Sequence, residues 1–225
     1  MTRFCLPRQV RSRMNLLLAR RLCTLLVAAC LSVALVARAQ EMGPDELVKG
    51  VTLDVVGVVA KDREIQTGSR QKVVGLVEEK VLPHFNFNSM AALAMGQNWT
   101  KATPDQKKRL TDEFRILLVR TYASALSAYR DQKFEFRPLR AKPADTDVVV
   151  QVRILQQGAQ AVSLDYGMEK TAAGWKVYDV IVGGVSLVAN YRTDFANIVR
   201  DSGVDGLINT LRAKNRSLSA TAEKK

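Results

Sequence analysis

The residues that could carry acid–base or nucleophilic chemistry are few and scattered in this 225-residue chain. Its single histidine, His84, lies between a proline and a phenylalanine, and no nucleophile-elbow motif accompanies it. The acidic pairs Glu78-Glu79 and Asp112-Glu113 are adjacent residues, which diverge by about 100° on a helix and make poor acid/base pairs. Catalysis and metal binding need several such groups converging on one point. We therefore predict no catalytic site, no metal site and no cofactor.

Two other patterns give little support for phosphate or nucleic-acid chemistry. The glycine pair at 183–184 lacks the lysine and the flanking residues of a phosphate-binding loop. The basic run at 107–109 is interpreted either as a solvated helix face or as a docking surface for anionic lipid or an acidic partner. The few aromatic residues do not alternate with basic ones as in a single-strand binding platform, so no nucleic-acid partner is expected.

Much of the excess positive charge lies in the first forty residues, which contain seven of the 34 basic residues and no acidic residue. A basic stretch, a 15-residue apolar run at 22–36 and an Ala-Arg-Ala site at 37–39 are typical of a secretory signal peptide. We expect residues 1–39 to be removed, which leaves 27 basic residues against 22 acidic ones. This net charge of +5 (27 − 22) weakens a nucleic-acid hypothesis further.

Three features of the leader leave alternatives open. Residues 27–30, Val-Ala-Ala-Cys, resemble a lipobox that would leave a lipidated Cys30. Arg20-Arg21 suggests twin-arginine export, without the residues expected around the pair, and Met14 is an alternative start. All three cysteines lie in the leader, so the mature chain is expected to fold without disulfides or thiol chemistry.

Helical periodicity dominates the first half of the mature chain. Apolar residues recur at three- and four-residue intervals in segments separated by polar or proline breaks. Pro44 suits the first position of a helix, Thr103 opens a capping box, and Gly96 follows a helix end. The predicted helices lie at about 44–58, 69–81, 85–95 and 104–130.

The second half changes to a period of two, which predicts four antiparallel strands at about 134–136, 148–155, 162–168 and 175–182. Ser186 is a candidate N-cap of a following helix, and Gly203 separates that helix from a last one at about 204–212. Residues 214–225 are small, polar and charged, and are expected to be disordered. The order of the elements, helices followed by a run of strands and then two helices, predicts an α+β fold. In this fold a curved four-stranded antiparallel sheet has helices packed on one face.

The strand that begins at Trp175 is apolar on both faces through Val182 and enters a Gly-Gly turn that opens directly into a helix. Such a strand must lie between two apolar layers, either a core on each side or a core and a cavity. Composition alone does not decide between a filled core and a cavity lined by aliphatic residues.

A family resemblance favours the cavity. Residues 184–195, Gly-Val-Ser-Leu-Val-Ala-Asn-Tyr-Arg-Thr-Asp-Phe, closely resemble the signature of the MlaC family, periplasmic phospholipid-binding proteins also described as the toluene-tolerance auxiliary component of an ABC transporter. Residues 82–87, Leu-Pro-His-Phe-Asn-Phe, and 93–99 resemble the helix junction of the family, and 203–211 its ending. The similarity spans about 42–213, and Gly183 departs from it, since relatives often carry an acidic residue there.

The resemblance implies an NTF-like or cystatin-like sheet with helices that enclose an apolar cavity, in a lipid-binding domain at 40–213. It implies a soluble, monomeric periplasmic carrier that is not an enzyme. Such a carrier shuttles phospholipid between an inner-membrane ABC transporter complex, with its substrate-binding subunit, and an outer-membrane lipoprotein–porin complex, and so maintains outer-membrane lipid asymmetry. The alternatives are a carrier of hopanoid or another lipid, a periplasmic protein-binding chaperone, and an enzyme with Asp165 and Asp179 as its acid/base pair.

The pocket is predicted between the inner face of the sheet and the terminal helices. Asn190 and Arg192 are expected to anchor the Gly-Gly turn as part of a structural signature. A strand phase wrong by one residue would exchange the two faces of the sheet. The candidate lipid-binding residues are Val150, Val152, Leu164, Tyr166, Val177, Ile181, Val185, Leu187, Val188 and Tyr191.

Overall fold

The computed structural model describes residues 42–142 and 144–223, so the predicted signal peptide, lipidated Cys30 and Met14 start lie outside the described residues. The described helices are α1 (Pro44–Val59), α2 (Arg63–Gln66), α3 (Arg70–Lys80), α4 (Phe87–Met95), α5 (Pro104–Tyr122) and α6 (Arg192–Glu223). The strands are β1 (Lys133–Phe136), β2 (Asp147–Leu155), β3 (Val162–Thr171), β4 (Gly174–Val182) and β5 (Val185–Ser186). Within these ranges no helix is both long and apolar enough to span a bilayer.

The capping box predicted at Thr103 forms, whereas the helix that it starts ends earlier than predicted. In the capping box of α5, Thr103 Oγ1 accepts a hydrogen bond from the Gln106 amide at 3.2 Å, and Gln106 Oε1 accepts one from the Thr103 amide at 3.0 Å. α5 ends at Tyr122 and not near Arg130, because the chain tightens into a 3₁₀ segment over Ala123–Ala128. The polar break at 61–67 contains α2, whose first amides are capped by Asp62.

The sheet has five antiparallel strands in chain order, one more than predicted. Gly183 and Gly184 have φ values of 58° and 84°, the two positive values that a type I′ hairpin turn requires. The chain therefore folds back to pair Val182 with Val185 before it becomes helical, which corrects the expected direct entry into a helix. Ser186 Oγ accepts from the Ala189 amide at 2.8 Å and so caps a 3₁₀ turn, not the α6 start.

A β-bulge changes the phase of β4. The pairing with β3 passes from Gly167↔Asp179 to Met168↔Val177, which leaves Tyr178 as an extra residue on β4. Both Tyr178, which lies over Gly167, and Asp179, which pairs with Gly167, then belong to the outer face of the sheet. A prediction that assumes a strict alternation of inward and outward residues cannot detect a bulge of this kind.

Three apolar clusters hold the helices and the sheet together. The first joins α4, α5 and α6 around Phe114 and Leu207, the second joins α1, α2 and α3 around Val73, and the third joins Val48 of α1 to the inner face of the sheet. The division of the core into three clusters leaves space between them.

α6 continues well beyond Arg212, where we expected the last helix to end and a disordered tail to begin. It bends at Gly203, whose φ is 69°, as the predicted break requires. Asn215 is buried, and its amide nitrogen donates to the backbone oxygen and a carboxylate oxygen of Glu113, each at 2.9 Å. This contact with α5 explains why the segment after 213 is helical.

We expect Gly167→Ala to destabilise the fold by about 1–3 kcal/mol, since overpacking has a cost of this size. A Cβ at Gly167 would lie 3.1 Å from Cζ of Tyr178, whose hydroxyl is tied to Asp147 by a 3.1 Å hydrogen bond. In the control Gly57→Ala, the added Cβ in α1 meets no atom within 4 Å, and a gain of about 0.5–1 kcal/mol is expected. Urea unfolding of both variants gives the two values. Equal stability of the two would contradict the close contact at the bulge.

Candidate functional site

A cavity of about 650 Å³ lies between the inner face of the sheet and the helices α1, α3 and α5. The residues of α1 that face it are one stripe of helical period, largely valine. The α1 wall consists of Leu47, Val48, Val51, Thr52, Val55, Val56 and Val59. The sheet wall consists of Phe134, Ile154, Leu164, Tyr166, Met168, Val177, Val180 and Val182. The rest of the wall includes Val77, Leu82, Phe85, Phe87, Met90, Leu118, Val119, Tyr122 and Leu126.

The cavity opens to solvent at one end of the sheet. Among its lining residues, those that are exposed are Ala125, Ala128 and Gln156. Gln156 begins the β2–β3 turn, and half-buried Gln132 precedes β1 on the same side. Two neutral amides and two alanines thus surround the opening, which we call the mouth.

The wall contains no aspartate, glutamate, lysine or arginine among the described residues. Its polar groups are mainly hydroxyls: burial raises the pKa of Tyr166 to about 12, and a hydrogen bond with Thr52 acts in the opposite direction. Tyr122 hydrogen-bonds Tyr191, whose pKa is likewise raised by burial to about 12. These groups stay uncharged at neutral pH, so the cavity is an apolar and neutral environment.

His84 is the group on the wall whose ordinary pKa lies closest to neutrality. Burial lowers the pKa of this imidazole, and the positive charge of Lys176 lowers it further. The ring is therefore neutral at pH 7, in keeping with the rest of the wall.

Among the residues that the structure describes, no acid/base pair reaches the cavity. Asp165 pairs across the sheet with Ile181, and Asp179 pairs with Gly167, so both carboxylates belong to the outer face. Buried Asp179 accepts hydrogen bonds from the Val180 amide at 2.8 Å and the Val188 amide at 3.4 Å. Over residues 42–142 and 144–223, no group of three or more histidine, cysteine or acidic side chains could hold a metal ion.

Four of the ten candidate lipid-binding residues lie on the cavity wall, namely Leu164, Tyr166, Val177 and Leu187. Val150 and Val152 are buried instead in the cluster between the sheet and α1, with 2% and 1% exposure. Whether any of these residues contacts a lipid stays a prediction.

The other four candidates lie elsewhere for identifiable reasons. The bulge at Tyr178 turns Ile181 to the outer face and places Val180 and Val182 on the wall in its stead. Val185 is 58% exposed in β5. Val188 and Tyr191 pack in the cluster of α4, α5 and α6, where Tyr191 meets Phe114 edge-on with ring centroids 5.2 Å apart.

The expected position of the pocket is also corrected. α6 contributes no residue to the wall, because its apolar residues pack against α4 and α5. α1 and the end of α5 form the helical side instead. One feature of the sequence could have indicated this position of the pocket. The valine-rich stripe of α1 is wider than the stripe by which a helix packs against a single neighbour.

The signature residues anchor a different element from the one expected. The Arg192 guanidinium donates from Nε and Nη2 to the Leu93 carbonyl oxygen at 3.3 and 3.2 Å, so it holds the end of α4 and not the Gly-Gly turn. Asn190 is exposed. The arrangement favours a structural role for Arg192.

The basic run at 107–109 forms intramolecular contacts. Lys107 lies 5.2 Å from the Trp99 ring centroid, and Lys108 pairs with Asp112 at 2.8 Å. Arg109 pairs with two carboxylates, at 2.7 and 2.9 Å. These contacts favour the interpretation as a solvated helix face.

Comparison with known proteins identifies one family. The family described as MlaC protein matches residues 49–213. The toluene tolerance protein ttg2D of Pseudomonas putida is 25% identical over 163 residues, which cover 72% of this chain and 75% of the relative. The intermembrane phospholipid transport system binding protein MlaC of Haemophilus influenzae is 24% identical over 140 residues, 61% of this chain and 65% of the relative.

A solved structure is similar over most of the chain. It is that of a phospholipid-binding protein from Ralstonia solanacearum in complex with a phospholipid. The two share 39% sequence identity and a TM-score of 0.72, and the match covers 78% of this chain and 98% of that one.

We expect Arg192→Ala to lower the Tm by about 2–4 °C, the shift that about 1 kcal/mol causes in a domain of this size. The variant removes both donors to the Leu93 carbonyl but no residue of the cavity wall. The control is Arg200→Ala in the same helix, since Arg200 pairs locally with Asp201 and Asn197. Differential scanning calorimetry distinguishes the two, and equal Tm values would remove the anchoring role.

We expect acidification to destabilise the fold partly through His84. Because the pKa of His84 is lowered from 6.5 in the folded state, its contribution is present above about pH 6.5 and is lost as pH falls through the folded pKa. His84→Gln should therefore flatten the fall in unfolding free energy as the pH drops below about 6.5. Parallel curves for the two proteins, measured by urea titration at each pH, would contradict this.

Proposed function

Because the chain belongs to the MlaC family, we propose that it binds a phospholipid by its acyl tails in the cavity between α1, α3, α5 and the sheet. The observation that carries the proposal is an aliphatic wall without a charged side chain among the described residues. A wall of this kind matches hydrocarbon and offers little to a polar substrate.

The energetics of acyl chains support such a carrier. Each buried methylene is worth about 0.8 kcal/mol, so a chain of about 16 carbons exposed to water would cost on the order of 12 kcal/mol. A cavity of about 650 Å³ lies within the range of about 300–1,000 Å³ that ligand pockets occupy. The tails would occupy this space, and the headgroup would lie at the mouth near Gln132 and Gln156.

Within this proposal the protein is a periplasmic shuttle and not an enzyme. The Haemophilus relative is named as the binding protein of an intermembrane phospholipid transport system. By analogy, this chain would move lipid between an inner-membrane ABC transporter complex and an outer-membrane lipoprotein–porin complex, which maintains outer-membrane lipid asymmetry. The absence of an acid/base pair from the described cavity wall is in keeping with a carrier. An NTF-like or cystatin-like classification of the sheet belongs to the same proposal.

The first test is native mass spectrometry of the protein recovered from the periplasm without detergent, followed by lipid extraction. We expect an added mass equal to one phospholipid. An added mass equal to a hopanoid would support a lipid carrier but identify a different lipid as its cargo. A protein without bound lipid that also takes up none from vesicles would overturn the proposal and favour a chaperone.

A matched pair in α1 tests the location of the site. Val51 lines the cavity, whereas Leu53, two residues further on, is 51% exposed and lies outside it. We expect Val51→Glu to reduce the co-purified lipid at least about tenfold, since one unpaired carboxylate disfavours an apolar ligand by more than about 1.4 kcal/mol. Leu53→Glu should retain the lipid. Equal lipid content in two folded variants, checked by circular dichroism, would place the lipid elsewhere.

A further inference from the structure

Two segments at the mouth end of the sheet contain only uncharged residues. Segments 154–164 and 180–191 contain no charged residue, although charged residues make up 25% of the chain. The first segment runs from the end of β2 through the β2–β3 turn into β3. The second runs from the end of β4 through the β4–β5 turn and β5 to the 3₁₀ turn before α6. The Gly183 amide donates to the Ser163 carbonyl at 2.9 Å, which holds the two turns side by side.

Aliphatic side chains on these segments are exposed. Leu155 is 36% exposed, Val162 is 42% exposed and Val185 is 58% exposed. Val162 pairs with Ile154 and Val185 pairs with Val182, and both partners line the cavity, so these two exposed residues continue the apolar wall beyond the mouth. Leu155 lies at the same end of the sheet on the outer face, opposite Lys133. We call Leu155, Val162 and Val185 the mouth rim.

We propose that the mouth rim docks on the surface of a bilayer that contains anionic lipid, so that an acyl chain passes between bilayer and cavity without crossing water. The transfer part rests on the proposed function, whereas the docking part does not. An uncharged rim loses little hydration when it contacts the headgroup and acyl boundary, and aliphatic residues favour that boundary.

Positive charge next to the rim favours anionic lipid. Lys133 pairs with Leu155 across β1 and β2, and Arg130 lies three residues before it; with the intervening Asp131 the segment 130–133 has a net charge of +1 (2 − 1). Neither side chain forms an ion pair with any residue in the described part of the chain. Basic side chains beside an apolar surface add electrostatic attraction to anionic headgroups.

The composition of the rim favours a bilayer over a protein partner. The cores of protein interfaces are enriched in aromatic residues and arginine. Segment 154–164 contains neither, and the one aromatic residue of segment 180–191, Tyr191, packs inward against Phe114. Three aliphatic side chains give weak and reversible binding, which suits a carrier that must leave the membrane again.

The proposal can be tested by site-specific fluorescence, because the three cysteines of the chain lie at positions 5, 23 and 30, in the predicted leader. The variants Val185→Cys and Val149→Cys, each recovered from the periplasm and labelled with an environment-sensitive dye, form a matched pair. Val149 is 46% exposed on the outer face of β2, away from the cavity. The probes are vesicles of phosphatidylethanolamine and phosphatidylglycerol at 3:1, and of phosphatidylcholine alone.

We expect a blue shift of the dye at position 185 on the anionic vesicles, a smaller one on phosphatidylcholine, and none at position 149. Val185→Asp with Val162→Asp should slow lipid uptake from anionic vesicles about tenfold without changing the lipid already bound at purification. If the dye at position 185 shows no shift on either kind of vesicle, the docking proposal is wrong. It is also wrong if the double variant slows only lipid exchange with a purified protein complex and not uptake from vesicles. A blue shift in a protein that carries no lipid would support docking and contradict the proposed function.

Discussion

The structure depends on how α1 divides its valine face between two partners. Val48 packs at one end into the cluster on the sheet, and Val55 and Val59 pack at the other end into the helical cluster with α2 and α3. The middle of the helix, around Val51 and Thr52, spans the space between these contacts. α1 is therefore held at both ends, and its middle lines the cavity: Val51 is only partly buried against the helical cluster, and Thr52 hydrogen-bonds Tyr166 of the sheet.

The second determinant is the extra residue in β4. Without Tyr178, the strand would continue its alternation, and Ile181 would face the helices in place of Val180 and Val182. The bulge also places Asp179 where its carboxylate accepts the amide of Val188, which couples the strand to the turn that leads into α6. One inserted residue therefore sets both the sheet side of the cavity and the path of the chain beyond it.

The chemistry of the cavity is consistent throughout its described wall. Its hydroxyls are hydrogen-bonded or held neutral by burial, and its histidine is kept neutral by burial and by Lys176. The carboxylates of Asp165 and Asp179 lie on the outer face of the sheet. A site of this kind discriminates by hydrophobicity and shape instead of by charge. This agrees with the lipid-binding hypothesis and leaves headgroup selectivity to the few neutral groups at the mouth.

The sequence by itself determined the features that depend on neighbouring residues: the α+β order, the capping box at Thr103, the break at Gly203 and the family signature at 184–195. It also placed Leu164, Tyr166, Val177 and Leu187 among the candidates that line the cavity. Only the tertiary structure decided which strand residues face the helices, because a bulge shifts the phase without altering the local pattern. It alone decided that α1 and not α6 covers the sheet, since two helices with apolar stripes are equivalent until long-range packing assigns their partners.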